Sequence, residues 1–229
     1  MPRVRTASRV WITRSQPGAD ATARRLLDLG FAPVVQPVLQ VERLARAAPD
    51  LAGVDALAFT SAAAIGAFAS LTERRDLCVF AVGDATAARA RSAGFTNVHS
   101  AGADAAALAL AIAAAPRPPR LVLHPGALEP AADLVGLLAR AGVAARAQPV
   151  YQTVAAGPDA PPQAAHAVLV HSAKAARRVA AMLRAGEAGR MAAFALSPAV
   201  AEPLRAAGFS KLAIAALPDE ASLLNLLVD

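Results

Sequence analysis

The chain has 229 residues, of which 56% are hydrophobic and 17% charged, with a formal net charge of +6. Ala supplies 64 of the 229, or 28%, so hydrophobic content overstates the surface a core can bury, yet apolar residues recur throughout and a disordered chain is excluded. The basic excess is 21 Arg against 2 Lys, scattered along a chain with 4% aromatics. Nucleic-acid binding calls for clustered cations and aromatic platforms, so no nucleic-acid partner is expected, and a small polyanion fits at least as well.

The longest uncharged Ala/Leu run, Ala105 to Ala115, is about half of the roughly 20 residues a membrane span requires. Arg3, Arg5 and Arg9 are followed by the short strand-like run Val10-Trp-Ile-Thr13 and not by a long apolar stretch, so no secretion leader is expected. Cys78 is the single Cys, which excludes an internal disulfide and a cysteine-based zinc cage. A cytoplasmic protein with no membrane contact is expected.

Taken in chain order, short apolar runs alternate with longer helical stretches. Strands are predicted at Val10–Thr13, Val34–Val41, Ala56–Thr60 and Cys78–Val82, with helices over Ala19–Leu29, Ala62–Leu71, Asp84–Ala93 and Asp104–Ala114. Beyond the Pro-rich segment Ala115–Arg120, strands are predicted at Leu121–His124, Ala144–Tyr151, Ala167–His171 and Ala192–Leu196. Helices are predicted near Ala131–Ala141, Ala173–Ala185, Ala199–Ala207 and Glu220–Val228. Ala-Gly-Phe and Ala-Gly-Val sequences read as helix C-caps in which Gly takes the left-handed conformation. Strand–helix alternation with fully apolar strands predicts parallel sheets with helices on both faces.

The two halves resemble each other. Phe80–Phe95 aligns with Phe194–Phe209 at an offset of 194 − 80 = 114, with 8 identities in 16. Gln36-Pro-Val-Leu-Gln40 matches Gln148-Pro-Val-Tyr-Gln152, and Phe59-Thr-Ser-Ala62 matches Val170-His-Ser-Ala173, at offsets of 112 and 111. An internal duplication giving two similar α/β domains is expected. The Gln-Pro-Val-x-Gln segments are extended and Pro-containing, as edge or linker strands are. If the chain crosses at both, residues 40–151 form one domain and residues 1–39 with 152–229 form the other, joined by a two-stranded linker.

In open parallel sheets ligands bind beyond the carboxyl ends of the strands. Those ends carry Thr13-Arg14-Ser15, Thr60-Ser61, Gly83-Asp84-Ala85-Thr86, His124-Pro125-Gly126, His171-Ser172 and Ser197, each expected just before a helix. Taken singly, each reads as an ordinary helix cap. Taken together, they read as a set of helix N-termini whose free N–H groups would hold carboxylates or phosphates. His124 and His171 are expected to face the ligand, and no metal ligand set surrounds them. No glycine-rich dinucleotide loop, Walker loop or nucleophile elbow is present. Tyr151 is the only Tyr. It is either a packing residue with a satisfied hydroxyl or, at a domain crossing, a proton donor to substrate.

These features together resemble the uroporphyrinogen-III synthase family over nearly the whole chain. The resemblance rests on Ile12-Thr-Arg14 followed by Pro17-Gly18, Phe59-Thr-Ser-Ala-Ala63, Phe80-Ala-Val-Gly-Asp-Ala-Thr-Ala87, Gln148-Pro-Val-Tyr151 and the tail Asp219-Glu-Ala-Ser-Leu-Leu224. It implies two α/β domains joined by a two-stranded ladder, and a reaction without metal or organic cofactor. The linear tetrapyrrole hydroxymethylbilane loses its terminal hydroxyl as water, and the last ring attacks through its substituted carbon. A spiro intermediate forms, opens, and recloses with that ring inverted. By resemblance Thr86 matches a family Thr, and Tyr151 matches the Tyr favoured to assist hydroxyl departure. Arg14, Ser61, Ser172 and Ser197 match cleft-facing positions. Ser15, Thr60, Gly83, Gly126 and His171 complete the expected substrate contacts. Departures are His124-Pro125 where many members have Arg, Thr153 where many have Arg, and Ala199-Val200 where many have Thr. The chain is expected to act as a monomer. Two alternatives are a non-catalytic tetrapyrrole- or anion-binding member of the same fold, and a two-domain solute-binding sensor.

Overall fold

The computed structural model describes residues 8–16, 18–44, 48–102 and 104–228. Pro17, quoted above, lies outside them, as do Arg3 and Arg5. The described chain divides into two compact units, one drawn from Met1–Gln40 with Val154–Asp229 and the other comprising Val41–Thr153.

The first unit contains β1 (Arg9–Ile12), α1 (Gly18–Asp28) and β2 (Ala32–Val35). The chain leaves it along β3 (Leu39–Arg43). The second unit then runs β4 (Ala56–Phe59), α2 (Ala62–Ala69), β5 (Cys78–Ala81), α3 (Asp84–Ser92), β6 (Val98–Ser100), α4 (Ala105–Ala113), β7 (Leu121–Ala127) and α5 (Leu134–Arg140). The chain returns along β8 (Ala144–Ala155) to complete the first unit with β9 (Ala167–Val170), α6 (Ala173–Met182), β10 (Ala192–Ala195), α7 (Pro198–Ala206), β11 (Leu212–Ile214) and α8 (Glu220–Asn225).

The first unit's sheet has the order β11-β10-β9-β1-β2, with every pairing parallel. The second has the order β3-β8-β7-β4-β5-β6, parallel from β8 to β6. Apart from β3, the two sheets share one spatial arrangement. In each, a strand and its successor run to one side while three further strands run to the other. The reversal falls between β1 and β9 in the first unit and between β7 and β4 in the second.

The apolar strand runs are explained by burial on both faces. Along β9, Val168 and Val170 pack on one side with α6 and α7, whereas Ala167 and Leu169 pack on the other with α1 and α8. Along β4, Leu57 and Phe59 pack with α2, and Ala56 and Ala58 pack with α4 and α5. The period of two sends successive side chains to opposite faces, and both faces are covered.

Three helices end as the Ala-Gly-Phe and Ala-Gly-Val signals predict, and α1 ends in the same way at Leu29-Gly30-Phe31. Gly30, Gly94, Gly142 and Gly208 have φ of +81°, +94°, +77° and +89°. In each case the next residue's N–H reaches back to a helical carbonyl: Phe31 to Leu26, Phe95 to Ala90, Val143 to Leu138 and Phe209 to Leu204. The four apolar residues are all buried, as the motif's accompanying hydrophobic contact requires.

Two expectations are corrected. The single strand predicted over Val34–Val41 is two strands, β2 and β3, interrupted at Gln36-Pro37-Val38. Gln36 N–H still donates to the Ile12 carbonyl, but Val38 N–H donates to Thr13, so the register slips by one residue at Pro37, which has no N–H to offer. The second concerns His124-Pro125-Gly126, expected as a loop before a helix. It lies inside β7, which continues to Ala127, and α5 starts only at Leu134. On its β4 side β7 pairs only at Val122 and Leu123, so the missing N–H of Pro125 breaks no ladder there.

Candidate functional site

In an open α/β sheet, the loops on either side of the strand-order reversal part and leave a crevice beyond the carboxyl ends. Each unit has such a point, and most of the sequence-predicted residues lie at the strand ends around it.

In the second unit β4 and β7 flank the reversal. Thr60 and Ser61 follow β4, and Gly126 lies near the end of β7. A cavity of about 330 Å³ opens there, lined by Thr60, Ser61, Val82, Tyr151 and Thr153 together with the 129–132 loop. Gly83 caps α3 with an extended backbone, and a Cβ at that position would meet nothing within 4 Å. Thr86, in the first turn of α3, is buried.

Tyr151 owes its place to a bulge. Gly126 pairs with Pro149, but Ala127 pairs with Tyr151, so Val150 is an extra residue in β8. Consecutive strand residues ordinarily face opposite ways. Here Val150 and Tyr151 both pack into the cluster of Leu57, Phe59 and Phe68. Bulges re-aim side chains in this manner. The Tyr151 side chain is 9% exposed and borders the cavity.

Hydroxyl partnership separates caps from free groups. Ser61 accepts from Ala63 N–H and Ser172 from Ala175 N–H, both at 3.1 Å, as ordinary N-caps. Ser197 also precedes a helix, but its side chain makes no cap bond. Among the described residues, the side-chain hydroxyls of Ser15, Thr60, Thr86, Tyr151 and Ser197 make no hydrogen bond to protein.

His124 is a core residue and not a ligand-facing one. It is 4% exposed and its Nδ1 lies 2.8 Å from the Ala58 carbonyl. A carbonyl only accepts, so Nδ1 carries the hydrogen. Burial lowers the imidazole's pKa and outweighs the opposing effect of that bond, favouring a neutral ring. Gly126 accommodates it, since a Cβ there would sit 2.9 Å from His124 Nε2.

In the first unit β1 and β9 flank the reversal, with Arg14 and Ser15 beyond β1 and His171 and Ser172 beyond β9. A residue that sequence reasoning left without a role joins them. Glu220, in the first turn of α8, accepts from Arg14 Nη1 at 2.7 Å and from His171 Nε2 at 2.9 Å through Oε2. Its Oε1 accepts from Thr22 Oγ1. Burial works to raise the Glu220 pKa, but the bonds from His171 and Thr22 and the charges of His171 and Arg14 prevail and hold it at about 2. A Cβ on Gly18 would lie 2.5 Å from Arg14 Nε, so glycine there gives the guanidinium its path. The signal for Glu220 in the sequence was its place beside Asp219, which caps α8. A larger cavity of about 450 Å³ in this unit involves Met182 and Met191 near the amino ends of β9 and β10, away from these loops.

Among the described residues no three His, Cys, Asp or Glu gather as a metal would require. No described helix is long and apolar enough to cross a membrane. The fold and these loops define a two-unit parallel α/β protein whose strand ends present hydroxyls, glycine and helix N-termini. The family model described as "Uroporphyrinogen-III synthase HemD" matches residues 20–225, and the chain belongs to the uroporphyrinogen-III synthase family, cyclising lyases of tetrapyrrole synthesis.

No curated protein matches the chain. Among solved structures it is similar to uroporphyrinogen-III synthetase from Helicobacter pylori, at 16% identity and TM-score 0.69, covering 96% of this chain and 98% of that one. It is also similar to a mutant uroporphyrinogen III synthase from the extremely thermophilic bacterium Thermus thermophilus, at 17% identity and TM-score 0.56, covering 97% of this chain and 98% of that one. At these identities the likeness shows a shared fold.

Proposed function

We propose that the chain converts hydroxymethylbilane to uroporphyrinogen III, with Tyr151 donating a proton to the departing hydroxyl. The observation that carries the role of Tyr151 is its unpartnered hydroxyl beside the second unit's cavity, placed there by the Val150 bulge. The proton leaves with the hydroxyl as water, and the cation so formed is attacked by the last ring. A cleft that holds the ends of a flexible chain together replaces an improbable encounter with an intramolecular one. Fixed N–H dipoles around the reacting centre add electrostatic stabilisation without reorganising.

Substrate carboxylates are taken to meet the N-termini of α2, α3, α6 and α7, with Arg14, His171, Ser15, Thr60, Ser61, Gly83, Thr86, Gly126, Ser172 and Ser197 as the contributing positions. The unpartnered hydroxyls support this for Ser15, Thr60, Thr86 and Ser197. Ser61 and Ser172 already cap their helices, so their part is to order the N-termini. The proposed domains are residues 1–39 with 152–229 and residues 40–151, supported by a change of compact unit after Gln40 and after Thr153. The protein is read as a cytoplasmic monomer that binds no nucleic acid.

The test is to generate the bilane enzymatically in the presence of the purified chain and measure product isomers. Isomer III in excess of isomer I supports the reading. Product identical to that formed without the chain overturns it and favours a non-catalytic binding member.

A further inference from the structure

We propose that the cavity of about 450 Å³ near the amino ends of β9 and β10 is a second binding site, for a small organic anion with an apolar body and one carboxylate or sulfonate group. It lies at the end of the first unit's sheet opposite Arg14 and His171, so it does not rest on the proposed cyclisation.

The apolar lining comes from the core. Met182 ends α6 and Met191 directly precedes β10, and both are buried with Val168 and Val179. Leu183 and Ala165 add partly buried apolar surface. Methionine is unbranched and polarizable, so its thioether adapts to apolar shapes and to ring edges. The volume falls in the range that encloses a small organic molecule.

The charge around this lining is positive. Arg184 and Arg190 both line the cavity and are exposed. Among the described residues neither guanidinium makes a hydrogen bond or an ion pair. Glu187, the one acid in the lining, is engaged by the backbone, its Oε2 accepting from Arg184 N–H at 2.8 Å. Asp159, just before the lining loop, is paired with Arg178. Two unpaired cations therefore flank apolar surface, and an anion gains from them what a neutral or cationic molecule does not. The carboxyl end of α6 also lies here, and helix carbonyls repel anions, so the anion contact falls to the guanidiniums.

The loop that completes the lining is built in advance. Pro161 and Pro162 fix their own φ. Gln36 Nε2 donates to the Ala160 carbonyl at 2.9 Å. At the other end His166 N–H donates to the Arg9 carbonyl, and Arg9 N–H donates to His166 Nδ1. Between these ties Ala164 has φ of +56°, the single non-glycine residue with positive φ among the described residues. Such backbone persists where its surroundings hold it, and it gathers at ligand sites. A lining fixed before binding spares the ligand the cost of ordering it.

The probe is anilinonaphthalene sulfonate, compared with its uncharged counterpart phenyl naphthylamine. The chain has three methionines and two line the cavity, so carbon-13 labelling of the methionine methyls reads this site directly. Signals are assigned through Met182→Leu and Met191→Leu. With the sulfonate, the Met182 and Met191 signals are expected to shift along one saturating curve. Arg184→Gln combined with Arg190→Gln should weaken sulfonate binding about three- to tenfold and leave binding of the uncharged compound unchanged. Added salt should weaken sulfonate binding to wild type and affect the double variant less. Both arginines are exposed, so the variant is expected to fold, and Arg190→Gln alone carries the same test at a smaller factor. If the two signals stay in place, or drift without saturating, the cavity is not a site and the proposal fails. It fails equally if the double variant binds the sulfonate as wild type does, because the hollow is then apolar without preference for an anion. Formation of isomer III is read separately and decides neither outcome.

Discussion

The Arg75 guanidinium carbon lies 5.1 Å from the centroid of the Phe95 ring. From there its nitrogens donate to the carbonyls of Ala69, Thr72, Arg74 and Ala93. Two of these acceptors lie at helix ends: Ala69 closes α2 and Ala93 caps α3. A cation there meets the negative ends of both helices.

Arg75→Lys is therefore expected to destabilise the second unit although it keeps the charge. An ammonium cannot reproduce the planar fork or its stacking on Phe95. With net hydrogen bonds worth about 0.5–1.5 kcal/mol each, a loss of about 1–3 kcal/mol is expected, read as a lower urea midpoint. An unchanged midpoint would show that the bonds contribute nothing net.

Tyr151→Phe is expected to lower turnover at least about tenfold, below the typical general-acid range because bound water substitutes in part. Stability should change little, because no protein group bonds the hydroxyl. Ser61→Ala should cost about 1 kcal/mol as a lost cap while sparing more activity than Tyr151→Phe. Thr86→Ala should likewise cost less activity. Retention of most activity by Tyr151→Phe, with loss in Thr86→Ala, would make Tyr151 a packing residue.

Glu220 links acid to stability. Its pKa is about 2 in the folded chain against an ordinary value of 4.5. A depressed carboxylate contributes stability that is present above the unfolded value and lost as pH falls through the folded one. Wild type should therefore lose on the order of a few kcal/mol between about pH 4.5 and pH 2 that Glu220→Gln does not lose. The stability gap between the two proteins should narrow across that window in denaturant titrations. A constant gap would mean the carboxylate is not held in this manner.

Gly126→Ala is expected to destabilise by about 1–3 kcal/mol through overpacking, because the added Cβ would press on the His124 ring. The coupling is testable. Beside His124→Ala the same substitution should cost less, and a double-mutant cycle should return a non-zero interaction energy.

Much of this architecture was legible in the residues. Ala93-Gly94-Phe95, Ala141-Gly142-Val143 and Ala207-Gly208-Phe209 announced helix ends because only glycine enters the left-handed region freely and the next residue is apolar. Val168, Leu169 and Val170 announced a buried parallel strand. What escaped had physical causes. The strands β6 and β11 have three residues each, too short for a period to register. His124 looked like a strand-end ligand because nothing local reveals that β7 continues to Ala127; the partner that decides it, Tyr151, comes 24 residues later through a bulge. The bond between Arg14 and Glu220 spans 206 residues, beyond any local pattern. Of the candidate site, strand-end hydroxyls could be nominated from sequence, but which of them already cap a helix is a matter of rotamer and reach.

The passage of the chain out of the first unit at β3 and back along β8 sets the order in which the protein can assemble. Residues 41–153 hold a sheet whose parallel ladder, from β8 to β6, is continuous in sequence. The first unit has no such independence. Val10 of β1 pairs with Ala167, so 167 − 10 = 157 residues must be made before that central pairing exists. On a ribosome, β1 and β2 emerge before β9 and wait for it, with apolar Trp11 and Ile12 uncovered. Such long-range closure slows folding and exposes strand edges. The second unit would therefore complete its ladder while the first is still in two pieces, and damage to β9 would leave β1 and β2 without their neighbour.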